Sequence, residues 1–279
     1  MGDQRQRVKG LFDAVAGSYD QVGVDFFAPI GEALVAALDP EPGQRALDLG
    51  CGRGAALLPL ARLLGPTGRV VGGDIAPNMV AECRRLAAEA GLDHVEVREL
   101  DAQDPVLPDD GHPADFDLIT SSLVLFFLPD PLAALGRWVP LLRPGGRVAV
   151  STFGDPDPAW ARVEEVFRPH LPPHLLDART SGQSGPFASD VGVEDLLRRA
   201  GFVDVRTVHQ RLPVRFSDPE QWYRFSMSTG QRGFWASVPE ADRLAVKAEA
   251  QGRLMESAAA DGSLSFTQDV RHTVGSRPG

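Results

Sequence analysis

The chain has 279 residues, 43% of them hydrophobic and 24% charged, values that allow a full core without disulfide or metal staples and exclude disordered, collagen-like and miniprotein classes. A net charge of −10 and a pI of about 5.1 set the average field against a phosphate backbone or an anionic bilayer, so neither nucleic acid nor membrane is an expected partner. Two cysteines, Cys51 in a Gly-rich turn and Cys83 in a helical stretch, offer no disulfide framework and no metal site, and the N-terminus lacks a signal peptide's apolar core; a cytoplasmic protein is expected.

The first forty residues carry helical periodicity with aromatics on it and read as a cap. From Arg45 to Phe153 short β-rich runs alternate with helical patterns. The strand candidates are 45–50, 69–75, 95–100, 116–122 and 147–153, with helices over 55–65, 76–91 and 131–146 between them. The helix after the first strand is expected to begin near Arg53; the other two stop at Gly91 and at Pro144-Gly145-Gly146. Residues 154–188 show no regular pattern and read as an insertion. An amphipathic helix with Ser189 or Asp190 as N-cap and Gly201 as its stop follows, then a strand over 203–214. Residues 214–261 look mostly helical and precede a final strand near 264–274. The expectation is one α/β domain with a doubly wound, mostly parallel sheet, an antiparallel last strand and helices on both faces. Its parts are an N-terminal cap (1–42), a cofactor-binding core (43–153), an insertion (154–188), a core helix and strand (189–213), a helical lid (214–261) and a last strand and tail (262–279).

The chemistry concentrates in ALDLGCGRGAALLPLA, a strand that enters a Gly-rich turn and leaves as a helix. Gly50, Gly52 and Gly54 let the backbone pass close to a ligand, at a helix start whose N–H groups are free. The spacing is GxGxG, whereas a nicotinamide fingerprint requires GxGxxG, which disfavours NAD. Asp74 closes the second strand, where a carboxylate accepts hydrogen bonds from both hydroxyls of a ribose; the alternative is capping the next helix. Asp101 ends the third strand, placed to hold an exocyclic amine.

These segments resemble the class I S-adenosylmethionine-dependent methyltransferases, in their bacterial small-molecule branch. LDLGCGRG is similar to the family's first motif, VVGGDIAPNMV to its second, ELDAQD to its third, FDLITSSLVLFFLPDP to its fourth and LLRPGGRVAVSTF to its last core motif. The resemblance implies a Rossmann-like fold with S-adenosylmethionine as cofactor and S-adenosylhomocysteine as product. It places Asp48, Gly50 and Gly52 at the amino-acid end, Asp74 at the ribose, Ile75 on the adenine face and Asp101 with Ala102 at the adenine edge. Ser121 and Ser122 would flank the methionine portion, and Tyr19 of the cap would close over its carboxylate or sulfonium; its other role is cap packing.

Many relatives carry a histidine just before the LPD of the fourth motif, where this chain has Leu125-Phe126-Phe127-Leu128-Pro129. Either the nucleophile needs no base, or a base comes from the variable segments, or the protein binds the cofactor without transferring methyl. His170 and His174 in the insertion are candidates, as is Tyr19; His209 and His112 are weaker ones. In 214–261, Phe216, Trp222, Tyr223, Phe225, Met227, Phe234 and Trp235 either pack the lid's own core or wall a substrate pocket, alongside Phe126 and Phe127. Arg224 and Arg232 could meet a substrate carboxylate. The reading is methyl transfer to a small, hydrophobic or aromatic metabolite, with oxygen the default acceptor and nitrogen or carbon possible, by a monomer or homodimer without metal. The alternative is a cofactor-binding protein of the same fold that catalyses a cyclisation or rearrangement.

Overall fold

The strand candidates all form; the β-branched and aliphatic runs of the central ones bury both faces, as strands covered by helices on either side must, while the two edge strands, 95–99 and 203–216, stay largely exposed. β1 (Arg45–Leu49), β2 (Arg69–Asp74), β3 (Val95–Glu99), β4 (Phe116–Ser122) and β5 (Leu142–Phe153) lie parallel, and β6 (Val203–Phe216) and β7 (Leu264–Ser276) complete a sheet of order β3-β2-β1-β4-β5-β7-β6. β7 runs antiparallel to both β5 and β6. The computed structural model describes residues 2–107, 115–171, 185–260 and 262–279.

Alternate strand residues go to opposite faces. Ala46, Val70, Leu118 and Ala149 cluster with α2 (Phe27–Leu38), α3 (Leu57–Leu64) and α4 (Pro77–Glu89). Their neighbours Leu47, Val71, Ile119 and Val148 cluster with α5 (Pro131–Trp138) and α7 (Asp190–Ala200). Each fully buried aliphatic side chain contributes roughly 1.5–3 kcal/mol, so this double-sided burial fixes the register of the strands, and with it the line of strand ends above which α1 (Gly2–Val15) lies.

Three helices start on the same dipeptide. Asp130-Pro131 opens α5, Asp157-Pro158 opens α6 (Pro158–Glu164) and Asp218-Pro219 opens α8 (Pro219–Met227). Each aspartate accepts a backbone amide of the first turn, at 2.9, 2.8 and 2.7 Å, while proline fills the position whose N–H has no helical partner. Ser189 caps α7 through the Gly192 amide, and Gly201 (φ 109°) ends it. α9 (Arg232–Ser237) and α10 (Arg243–Met255) follow α8, between β6 and β7.

The larger differences from expectation are these. α3 begins at Leu57 rather than near Arg53, because the glycine turn runs on before the chain becomes helical. α5 ends at Trp138, and after a tight turn over Val139–Leu141 the chain is already strand at Leu142; Pro140 and Pro144 cannot donate to a continuing helix. β6 runs to Phe216, past the expected start of the lid. The insertion contains a regular element after all, α6, whose Asp-Pro start was there to be read. Among the described residues, no helix is long and apolar enough to cross a membrane.

Candidate active site

The glycine turn after β1 is built around two backbone requirements. Gly50 has φ 75°, and a Cβ there would stand 2.3 Å from the Val124 side chain. Gly52 has φ 51° and open space where its Cβ would be, which leaves a cradle beside the backbone. Asp74 holds the turn from the next strand: its Oδ2 accepts the Gly52 amide and its Oδ1 the Ala76 amide, both at 2.9 Å. Asp74 thus ties the glycine turn to the chain just before α4.

Asp48 is 1% exposed. Its Oδ1 accepts the Thr120 hydroxyl at 2.8 Å, and its Oδ2 is buried without a partner among the described residues. Burial, reinforced by the Asp74 charge and opposed by the Thr120 hydrogen bond, pushes the carboxyl up to about 7. Asp74 is raised too, chiefly by burial and against its amide donors. Two buried carboxyls with an orphan oxygen between strand ends suit a ligand that brings positive charge and hydrogen-bond donors. S-adenosylmethionine, with its ammonium, sulfonium and ribose hydroxyls, meets that requirement.

The other expected cofactor residues line the same strand ends. Ile75 is half-buried after β2. Asp101 pairs with Arg5 of α1 at 3.1 Å and accepts the Gln103 amide, while the Ala102 carbonyl accepts the Trp138 indole N–H at 2.8 Å. The Ser121 hydroxyl is committed to the Leu49 carbonyl at 2.8 Å, and Ser122 is half-buried beside it. Leu123, directly after β4, takes φ 58°, a backbone conformation costing a branched residue roughly 1–3 kcal/mol.

Leu123 borders a cavity of about 650 Å³. Seven rings that line it form a closed circuit of contacts. Tyr19 stacks on Phe27 with centroids 4.5 Å apart, Phe27 meets Phe26 at 4.9 Å, and Phe26 meets Phe153 at 6.5 Å. Phe153 stacks on Phe126 at 5.4 Å, Phe126 meets Phe127 at 4.7 Å, Phe127 meets Phe12 at 5.2 Å, and Phe12 returns to Tyr19 at 6.1 Å. Burial and the Asp20 and Asp74 charges hold the Tyr19 phenol well above its usual range, so it stays protonated. Trp160, Phe225 and Phe234 extend the apolar wall. Into it projects Glu164, pushed up to about 7 by burial although the Trp160 and Gln231 side chains both donate to it.

Phe126, Phe127 and Phe225 therefore line the cavity as expected of a pocket. Trp222, Tyr223 and Trp235 do not: they pack on one another, with Tyr223 and Trp235 5.1 Å apart and Trp222 and Trp235 6.3 Å apart, and the Trp235 N–H donates to Ser226. Phe216 is buried against Trp160, and Met227 packs on the same core. Arg224 and Arg232 are not among the lining residues, and neither is His170, at the end of the turn Glu165–His170. His174 and His112 lie outside the described residues. His209 bridges Asp190 and Asp269 at 2.9 and 3.1 Å on the sheet edge, a structural clamp. Sequence reasoning missed Phe12, Phe26, Phe27, Phe153, Trp160 and Glu164. The cap's aromatic periodicity and the Asp157-Pro158 helix start were the signals available.

Comparison with known proteins gives the family. The methyltransferase domain family matches residues 40–181. The chain is 39% identical over 276 residues to nocamycin O-methyltransferase of Saccharothrix syringae, covering 95% of this chain and 96% of that one. It is 40% identical over 174 residues to aklanonic acid methyltransferase DauC of Streptomyces sp. strain C5, covering 62% of this chain and 77% of the relative. The fold is shared with the YcgJ protein of Bacillus subtilis, with a TM-score of 0.58 at 15% identity over 89% of this chain and 98% of that one.

Proposed function

Because the chain belongs to the methyltransferase domain family, whose methyl donor is S-adenosylmethionine, we propose that it methylates an oxygen of a small, largely apolar or aromatic metabolite held within the belt of rings. The observation that carries the reading is the junction of two features: a glycine cradle flanked by buried acids, and an aromatic cavity that shares Tyr19 and the end of β4 with it. Two relatives, one matched along nearly its whole length, are named for methyl transfer, one of them to oxygen. The rival reading, a cyclisation or rearrangement on the same fold, rests on the missing histidine alone and is not favoured.

Asp48, Gly50 and Gly52 would hold the amino-acid end of the cofactor, Asp74 the ribose, and Ile75, Asp101 and Ala102 the adenine. Ser121, Ser122 and the neutral Tyr19 would border the methionine portion. Bound there, S-adenosylmethionine supplies a methyl group on a sulfonium and leaves as S-adenosylhomocysteine. The rings orient the acceptor and exclude water, a positioning effect that can supply ~7–11 kcal/mol of barrier lowering without a dedicated base. In this reading the chain works as one catalytic domain, its first 42 residues a cap and residues 214–261 a lid, as a cytoplasmic monomer or homodimer with no need of nucleic acid, membrane or metal.

Calorimetric titration with S-adenosylmethionine and S-adenosylhomocysteine tests it, followed by mass spectrometry of aromatic hydroxyl compounds for the gain of one methyl group. Both ligands should bind, and Asp74→Ala should weaken both by about tenfold or more. That variant should also lose roughly 1–3 kcal/mol of stability, since the Gly52 and Ala76 amides lose their acceptor. Failure of both ligands to bind the wild-type protein would end the methyltransferase reading of the site.

A further inference from the structure

The polar groups that line the cavity are almost all committed to the protein. Asp157 caps α6 with one oxygen and accepts the Thr267 amide with the other, the Gln4 amide donates to the Phe127 carbonyl, and the Ser237 hydroxyl donates to the Gly233 carbonyl. Besides the Tyr19 hydroxyl, the exceptions among the described residues are Glu164 and Gln231. Glu164 is the last residue of α6, Gln231 directly precedes α9, and the Gln231 amide donates to Glu164 Oε1, which also accepts the Trp160 indole N–H at 2.8 Å. Among the described residues, Glu164 Oε2 takes no hydrogen bond, and Gln231 Oε1 is buried without a partner. Two acceptor atoms on side chains hydrogen-bonded to each other, both from residues that line the cavity, thus stand without a partner.

A buried acceptor left unpaired costs about 1–3 kcal/mol, and a ligand that supplies the missing donor recovers it. We propose that Glu164 and Gln231 form a hydrogen-bonding anchor for the methyl acceptor, and that the part of the acceptor seated between α6 and α9 carries a neutral hydroxyl, phenolic or enolic. The inference rests on the methyltransferase reading only in taking the cavity's occupant to be the acceptor. A carboxylate at this point would bring no donor and a full charge into an apolar enclosure, and an ammonium would carry a full charge out of water; a hydroxyl supplies one hydrogen, given to one of the two acceptors or shared between them, at neither cost. Glu164 itself titrates near neutrality because it is buried, so it demands no counter-ion. The anchor joins the insertion after β5 to the lid between β6 and β7, the two segments that close over the cavity from outside the cofactor-binding core.

The test is binding of naphthol, its methyl ether methoxynaphthalene, naphthoate and naphthylmethylamine to the protein, by calorimetry and by quenching of tryptophan fluorescence, with S-adenosylhomocysteine titrated in parallel. Naphthol should bind about tenfold or more tighter than its methyl ether and tighter than naphthoate or the amine. Gln231→Met, which keeps length and apolar bulk but removes the acceptor, should erase the preference for naphthol over the ether while leaving the ether's own affinity within about twofold. Glu164→Gln, whose single carbonyl is already taken by Trp160, should reduce the preference in the same direction. Unaltered S-adenosylhomocysteine binding in both variants reports an intact fold. Equal affinity for naphthol and its ether in the wild type, absence of naphthol binding up to its solubility, tighter binding of naphthoate or the amine, or a preference that survives both substitutions overturns the anchor. Loss of S-adenosylhomocysteine binding in the wild type with the naphthol preference intact overturns methyl transfer and leaves the anchor standing.

Discussion

Asp48 shows how a single buried carboxyl can tie ligand charge to pH. Its Oδ1 is occupied by Thr120, its Oδ2 has no partner among the described residues, and burial lifts it to about 7. At neutral pH the free protein therefore holds this carboxyl as a mixture of protonated and ionised forms. A cationic ligand beside it favours the ionised form, so binding expels a proton, and affinity falls as pH drops below about 7. Calorimetry of S-adenosylmethionine binding near pH 6.5 in two buffers of different ionisation enthalpy measures the protons exchanged. Asp48→Asn should bind roughly tenfold more weakly and release fewer protons than the wild type. Identical proton counts for the two proteins would remove Asp48 from the charge balance of the site.

α1 is fastened to the strand ends by contacts of unequal weight. Arg5 pairs with Asp101 and Lys9 with Glu99, yet the Arg5 side chain is 54% exposed and Glu99 55%, and such pairs contribute about 0–1 kcal/mol. The Arg53 side chain is only 9% exposed; it donates to the Ala16 carbonyl at the end of α1 at 2.8 Å and pairs with Glu82 of α4 at 3.1 Å. Asp13 adds a second tie by accepting the Asn78 amide in the first turn of α4. Hydrogen exchange across α1 should accelerate about tenfold in Arg53→Ala and less than about threefold in the combined Arg5→Ala and Lys9→Ala variant; the reverse ranking would show that exposed charge holds the cap. The glycine turn, Asp48, Asp74 and the strands were legible in the sequence because their signals are local: a spacing, a strand end, a run of aliphatic residues. The cavity was not, since Phe12 and Phe27 come from the cap, Phe126 and Phe153 from strand ends, and Glu164 and Gln231 from two insertions that meet only in three dimensions. In 214–261 the sequence named the right aromatics and could not divide them, because α8 and α9 are apolar on more than one side: Phe225 and Phe234 look into the cavity while Trp222 and Trp235 pack behind it.

Among the described residues the molecule carries several acids whose folded environment disfavours charge, against one histidine of the opposite kind. Burial raises Asp48 and Glu164 to about 7 and Asp20 to about 6. Their folded values exceed the unfolded ones, so the native state binds more protons, and each adds stability as pH falls through its folded value. His272, between β5 and β6 with its ring nitrogens 3.0 Å from Ser151 and Gln210, is pulled down to about 4, chiefly by burial. It stays neutral in the fold, so its contribution is complete above its unfolded value near 6.5 and declines as pH drops toward 4. His209, raised by Asp190 and Asp269, works the other way and favours the fold as pH falls toward its unfolded value. The acids outnumber His272, and the balance is a ligand-free protein more stable at about pH 5.5 than at pH 7, by on the order of 2 kcal/mol. Urea titrations at the two pH values should show that rise. Asp48→Asn combined with Glu164→Gln should abolish most of it, whereas His272→Gln should enlarge it. S-adenosylmethionine should diminish the rise, because its binding favours the ionised Asp48 that acid removes, and its stabilisation of the fold grows as RT ln(1 + [L]/Kd). A ligand-free stability that is flat or falling from pH 7 to about 5.5 would mean that these carboxyls reach water in solution, which would remove the buried acids from the case for a cationic ligand in the cradle.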